Sequence, residues 1–132
     1  ALKRLRQVIS RNPGYAEAHL NIGSLLASMK QFDEAAGHLA KAVELNPEIA
    51  YAHYGLGMVQ AQQGKHGEAV VSLRNAIALG SSNARAFVQL GHSQLALGEK
   101  SAATESFRTA LKLDPRNQDA QRAMSENGLQ SE

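Results

Sequence analysis

The fold is decided by residues 50–83, AYAHYGLGMVQAQQGKHGEAVVSLRNAIALGSSN, because the same pattern of residues stands before and after them. Residues 16–49 carry the pattern once and residues 84–117 carry it again. A repeat of this length is typical of supersecondary units that bury their apolar faces only by stacking on one another. The sequence therefore predicts one repeat domain over 1–132, since no linker or shift in composition divides it.

Small and large residues recur every 34 positions and form the columns of the repeat. Glycine, preceded by an aliphatic residue, recurs in the first half of each unit at Gly23, Gly57 and Gly91. The second half carries alanine, a large residue and alanine, in the columns Ala35, Ala69 and Ala103, Leu39, Leu73 and Phe107, and Ala42, Ala76 and Ala110. Small residues let two helix backbones approach closely, and the large residue fills the space between neighbouring hairpins.

Each unit divides into two helices, because apolar and small residues recur at spacings of three and four on either side of turn residues. The predicted helices are 17–29, 33–46, 51–63, 67–79, 85–97 and 101–113. Residues 1–15 match the second helix of a preceding partial repeat, and 118–132 are expected to form a C-terminal capping helix and tail. Asp33, Asn83 and Asn117 stand where an N-cap would accept a backbone N–H. The expected class is all-α, an array of antiparallel helix-turn-helix units.

These columns resemble the tetratricopeptide repeat, which has an aliphatic–glycine pair in its first helix, alanine, a large residue and alanine in its second, and a proline afterwards. The resemblance covers nearly the whole chain and implies a right-handed superhelix, an α-solenoid. The sequence departs from the family pattern at Ser81, which replaces the terminal proline. It also departs at Gln60 and Gln94, where tyrosine is commoner, and at His19 and His53, where tryptophan is often found.

The resemblance implies that the first helices line a concave groove that binds extended or helical peptides. The stripe beside the core-facing residues, at three-and-four spacing, is expected to face this groove. Its candidate ligand-binding residues are Leu20, Asn21, Ser24, Tyr51, Tyr54, Met58, Arg85, Val88, Gln89, His92 and Arg122. Tyr54 and Met58, one turn apart, form its expected centre, since tyrosine offers contact area and methionine adapts to different partners. Alternatively, Tyr51, Tyr54 and Met58 only pack against adjacent first helices.

One subset of the family grips the C-terminal carboxylate of chaperone tails with lysines, asparagines and an arginine on three first helices. The matching positions in this chain are Leu20, Ser24, Gly55, Arg85 and Gln89, of which only Arg85 is basic. The sequence therefore favours an internal or amphipathic segment as the protein or peptide ligand.

No pattern of residues indicates a catalytic site, a cofactor or a metal site. The chain has no cysteine, its glycines are periodic, and no nucleophile, base and carboxylate stand in a recognisable arrangement. No two of the five histidines have the spacing of three or four that ligands on one helix need. His19 and His53 share a column and are expected to be partly buried and hydrogen-bonded, whereas His38 and His66 are expected to be exposed near turns. We expect no enzyme activity.

The composition indicates a folded protein, with 43% hydrophobic and 20% charged residues and no stretch that predicts insertion in a membrane. Four basic residues cluster on one short helix, Lys3, Arg4, Arg6 and Arg11. Nucleic-acid binding would need basic residues spread along a face with interleaved aromatics, so it is not expected. The lack of cysteine fits reducing and oxidising compartments alike, and the localisation stays open.

The first helix is expected to present an apolar face without a first-helix partner, formed by Leu2, Leu5, Val8 and Ile9. Terminal repeats usually present a polar outer surface. Either the protein continues upstream, or two copies meet at this face in a symmetric homodimer. Three functions remain open: a peptide-binding adaptor, a structural module that self-associates through this end, and a docking or regulatory domain of a larger enzyme.

Overall fold

The computed structural model describes residues 2–12, 14–81 and 83–129, and all regular structure within them is helical. Those residues form eight helices, α1 Leu2–Arg11, α2 Ala16–Ser28, α3 Phe32–Leu45, α4 Ala50–Gln62, α5 His66–Ala78, α6 Ala84–Ala96, α7 Lys100–Leu113 and α8 Gln118–Glu126. The most extensive contacts join α2 with α3, α4 with α5 and α6 with α7, so these pairs are the hairpins. The all-α prediction is confirmed.

The glycine column exists because the second helix of each hairpin lies directly against it. A Cβ added at Gly23, Gly57 or Gly91 would lie 2.7–2.8 Å from the large side chain opposite, respectively Leu39, Leu73 and Phe107. Those three large side chains are fully buried, as are the alanines four before and three after each of them. The repeating columns are therefore the packing contacts of one continuous stack.

Each hairpin turns through a residue in the left-handed region of the backbone, where glycine is favoured. Gly64 and Gly98 both have φ of +79°, and Lys30 holds the equivalent place with φ of +61°. The next amide N–H in each turn donates to a carbonyl five residues earlier, as in the bond of 2.8 Å from Lys65 N to Gln60 O. This bond satisfies a carbonyl that would be left free at the end of the helix.

Two of the three predicted N-caps are confirmed. Asn83 Oδ1 accepts from Ala86 N, and Asn117 Oδ1 accepts from Ala120 N, both at 2.9 Å. The prediction for Asp33 is wrong, because α3 begins one residue earlier and Asp33 lies in its first turn. There its Oδ1 accepts from Gln63 Nε2 of the next repeat at 2.7 Å.

The glutamines that replace tyrosine are partnered within their own hairpins. Ser72 Oγ donates to Gln60 Oε1 at 2.7 Å, and Ser106 Oγ donates to Gln94 Oε1 at 2.6 Å. Gln94 is only 2% exposed, so this bond gives its buried amide oxygen a donor.

Four histidines lie between helices. His19 and His53 are buried, and His53 Nε2 donates to Pro47 O at 2.8 Å, which agrees with the prediction for this column. The prediction that His38 and His66 are exposed is wrong, because both are half-buried. His38 Nδ1 lies 3.2 Å from His19 Nδ1, and His66 Nδ1 lies 3.4 Å from Ser93 Oγ.

Candidate functional site

The first helices of the hairpins lie on the inner side of a curve. Helices α2, α4, α6 and α8 contact one another in succession, whereas α3, α5 and α7 make no such contacts within the part of the chain that the structure describes. Stacked hairpins that meet along one row of helices and separate along the other must bend towards the row that meets. We call the surface formed by α2, α4, α6 and α8 the inner face.

The predicted groove residues divide into three groups according to exposure. The exposed ones are Asn21, Tyr51, Arg85, His92 and Arg122, and the half-buried ones are Ser24, Tyr54, Met58 and Gln89. Leu20 and Val88 are buried, with 7% and 2% exposure, and their prediction as groove residues is corrected: their side chains pack in the core clusters beneath the inner face.

One column explains that correction. Leu20, Tyr54 and Val88 occupy the same place in successive repeats, and each of them packs in one of the three apolar clusters. Tyr54 packs against the cluster of Val70, Leu73 and Leu90, and its side chain is partly exposed. Much of the Tyr54 side chain is therefore used in packing, as the alternative interpretation expects.

Two tyrosines form the aromatic part of the inner face. The rings of Tyr51 and Tyr54 are stacked, with centroids 6.4 Å apart, and Tyr51 is 58% exposed. The Tyr54 hydroxyl is buried and has no hydrogen-bonding partner among the described residues. Burial raises the pKa of Tyr54, the nearby Arg85 guanidinium opposes this shift, and Tyr51 adds to it. The phenol therefore stays neutral and keeps an O–H that can donate.

An open cleft adjoins Met58 where the end of α2, the turn after it, α4 and the start of α6 meet. It has a volume of about 410 Å³ and is lined by Ala27, Ser28, Lys30, Phe32, Met58, Val59, Gln62 and Arg85. Met58 and Arg85 were predicted from the sequence as ligand-binding residues. Lys30, Phe32 and Ala27 were missed, although Lys30 stands out once its column is compared with Gly64 and Gly98.

The apolar face of α1 is covered in part. Leu2, Leu5 and Ile9 pack against the first core cluster, and all four apolar residues of the predicted face, Val8 included, are half-buried. No residue of α1 is fully buried. Arg6 Nη2 donates to Glu34 Oε2 on α3 at 2.8 Å, so the basic helix is also held by an ion pair.

The described residues hold neither a metal-binding group nor a membrane-spanning helix. Their histidines and carboxylates form no group of three or more that could hold a metal ion. No helix among them has the length and apolar character needed to cross a bilayer.

A stack of helical hairpins with a first-helix inner face defines an α-solenoid. Two sequence profiles described as tetratricopeptide repeat match the chain, one over residues 1–36 and 22–84 and the other over 84–117. The chain belongs to the tetratricopeptide repeat family. Comparison with proteins of curated function finds no match.

Solved structures of the same fold include MamA, with a TM-score of 0.88 and 26% identity over 97% of this chain and 77% of MamA. YrrB, described as a TPR protein with an unusual peptide-binding site, has a TM-score of 0.84 and 25% identity over 97% of this chain and 68% of its own. The first TPR of Spaghetti (RPAP3), bound to the HSP90 peptide SRMEEVD, has a TM-score of 0.81 and 20% identity, covering 86% of this chain and 90% of its own. The last of these shows likeness of fold alone.

Proposed function

We propose that this protein is a non-catalytic protein–protein interaction module that binds a peptide segment along its inner face. The observation that carries the proposal is the open cleft beside Met58, between the first helices α2, α4 and α6. The exposed Tyr51 lies on the same helix as Met58, about two turns earlier. Concave surfaces with exposed aromatic and thioether groups suit partners that bury an apolar anchor. Membership of the family and the peptide-binding site of YrrB support the same role.

The ligand is an internal segment rather than a free C-terminus. Of the positions that match the chaperone-tail clamp, only Arg85 is basic, and Leu20 is buried. A bound terminal carboxylate would therefore meet one cation at the matching places. Charged partners at the rim of an interface chiefly set specificity, whereas apolar anchors supply most of the binding energy.

A matched pair of substitutions tests the inner face. Tyr51 on α4 is 58% exposed and Val71 on the second helix α5 is 60% exposed, so glutamate at either position changes the charge without entering the core. The wild type, Tyr51→Glu and Val71→Glu proteins would each be used to select binders from a displayed library of random peptides. We expect Tyr51→Glu to lose the peptides that wild type and Val71→Glu retain. Retention by all three proteins, or loss only in Val71→Glu, contradicts the proposal.

Self-association through α1 is a second candidate, and one observation favours it. A shallow cleft of about 550 Å³ lies on α1 between Leu2, Lys3, Arg6, Gln7 and Ser10, and no residue of the helix is fully buried. Sedimentation over a range of protein concentrations tests it with Gln7→Glu, which leaves the packed leucines unchanged. The second candidate is supported if the average mass of the wild type rises with concentration and the variant has a lower mass at the same concentrations. A constant monomer mass in wild type excludes it.

A further inference from the structure

The cleft beside Met58 is positively charged as well as apolar. Its lining contains two cations, Lys30 and Arg85, and no acidic residue. Neither cation forms an ion pair with any described residue. The walls between them are apolar, with Ala27, Phe32 and Met58 facing the space.

The two acids of the adjoining cleft have hydrogen-bonding partners of their own. Asp33 and Glu34 line the adjoining cleft on the other side of Lys30. Asp33 Oδ1 accepts from Gln63 Nε2 at 2.7 Å, and Glu34 Oε2 accepts from Arg6 Nη2 at 2.8 Å. Neither carboxylate forms an ion pair with Lys30, and its ammonium group can still pair with a ligand.

Lys30 is also the residue that is least expected at its position. It has φ of +61° in a turn whose equivalents in the next two repeats are Gly64 and Gly98. A lysine there is less favourable for folding than a glycine, because its Cβ crowds the backbone in the left-handed region. An unfavourable backbone conformation that is retained beside an open cleft is the kind of observation from which a function can be inferred.

We infer that the cleft binds an internal peptide segment which places an aliphatic or aromatic side chain against Phe32 and Met58 and an aspartate or glutamate beside Lys30 and Arg85. The inference rests on the proposed function and specifies its ligand as an acidic amphipathic segment. An apolar anchor gains by leaving water, and the carboxylate adds orientation and selectivity at the rim. Lys30 is then a specificity-determining residue of the site.

The test uses fluorescently labelled peptides with acetylated N-termini and amidated C-termini. Each contains a central leucine or phenylalanine and differs only in its flanking charged residues, which are acidic, amide or basic. Fluorescence polarisation would give the affinity of each set for wild type, Lys30→Gly and Lys65→Gly. Lys65 is the matched control, because it lies in the next turn and lines the adjoining cleft but not this one.

We expect wild type to prefer the acidic set, and Lys30→Gly to weaken binding of that set by about two- to five-fold, the usual range for an exposed ion pair. Lys30→Gly should leave the amide set unchanged and should not lower the melting temperature. Lys65→Gly should retain the acidic preference. Added salt should reduce the acidic preference, since both cations are exposed to solvent.

Three results overturn the inference and separate its failure from that of the proposed function. Equal affinity for all sets, with loss of binding in Tyr51→Glu, leaves the inner-face proposal standing without the acidic preference. Binding only by a further set of peptides, made with a free C-terminus, assigns the carboxylate to the terminus instead of an internal residue. No binding by any set, together with no selection from the displayed library, contradicts both proposals.

Discussion

The first repeat and the two that follow it build the same hairpin with different buried polar contacts. In the second and third repeats a serine of the second helix donates to a glutamine of the first, Ser72 to Gln60 and Ser106 to Gln94. In the first repeat the glutamine place is taken by Leu26 and the serine place by His38, which contacts His19 instead. The polar pair can therefore change between repeats, provided that each buried polar group still has a partner.

The same repeat also differs in its turn. Lys30 adopts the left-handed conformation that glycine adopts at the two equivalent turns, and it lines the cleft of the inner face. What the three repeats share without change is the glycine column against Leu39, Leu73 and Phe107. Shared columns mark close packing, whereas departures from them mark places where a repeat has a contact of its own.

The largest expected effect comes from breaking the shared column. Gly57→Ala places a Cβ 2.8 Å from Leu73 Cγ and 3.2 Å from Leu73 N, so the two helices must separate. We expect a loss of about 1–3 kcal/mol in the free energy of unfolding, the usual cost of overpacking. Urea denaturation followed by circular dichroism measures it.

Gly37→Ala is the control, because Gly37 lies within α3 and a Cβ there meets nothing within 4 Å. Gly37→Ala should raise the free energy of unfolding by about 0.5–1 kcal/mol, since alanine loses less backbone freedom than glycine on folding. Equal effects at the two positions would show that the close approach of α4 and α5 is not what requires glycine.

The second prediction tests the pair that distinguishes the later repeats. Gln94→Leu puts into the third repeat the residue type that Leu26 supplies in the first, but it leaves the buried Ser106 hydroxyl without its acceptor. We expect a loss of about 1–3 kcal/mol, the cost of a buried polar group without a partner. Adding Ser106→Ala should recover much of it, and a double-mutant cycle measures the coupling. Additive effects would mean that the bond contributes nothing specific.

The helices could be predicted from the sequence because their periodicity is set by the packing that buries them. The groove could be predicted only in part. Spacing along the first helix assigned Met58 and Arg85 to the groove, and both line the cleft, but it also assigned Leu20 and Val88, which are buried. The spacing of residues along one helix does not show how closely the adjacent helices pack against it.

The cleft itself could not be predicted from that stripe. Phe32 begins a second helix and Lys30 lies in a turn, and neither belongs to the first-helix pattern. They reach the inner face because the turn brings the end of α2 beside α4. Comparing each turn column for an unexpected residue would have identified Lys30.

Exchanging the turn residues is expected to have a smaller effect than the two changes above. Lys30→Gly should raise the free energy of unfolding by up to about 1 kcal/mol, and Gly64→Lys should lower it by about 1–2 kcal/mol, because only glycine adopts the left-handed region without crowding. Thermal unfolding of both variants tests the pair. A fall in melting temperature in Lys30→Gly would show that the Lys30 side chain makes a stabilising contact in the folded state.

The smallest effect expected is a dependence on pH that comes from His38 in the first repeat. Burial lowers the pKa of His38 below its ordinary value of 6.5, the charges of His19 and Arg6 act in the same direction, and Glu34 opposes them. The unfolded chain therefore takes up a proton at a higher pH than the folded protein does. The stability that His38 contributes is complete above pH 6.5 and is lost as the pH falls through the folded-state pKa.

Replacing the first repeat's pair by that of its neighbours tests this directly. Leu26→Gln with His38→Ser puts at these positions the residues found at Gln60 and Ser72, and the pair should again form its hydrogen bond. Urea unfolding between about pH 8 and pH 5, the range over which histidine titrates, should show a shallower fall in stability for the double variant than for wild type. Parallel curves would place the pH dependence in other groups. If the free energy of unfolding of the double variant is as high as that of wild type and does not change with pH, the contact between His19 and His38 makes the hairpin sensitive to pH but is not required for folding.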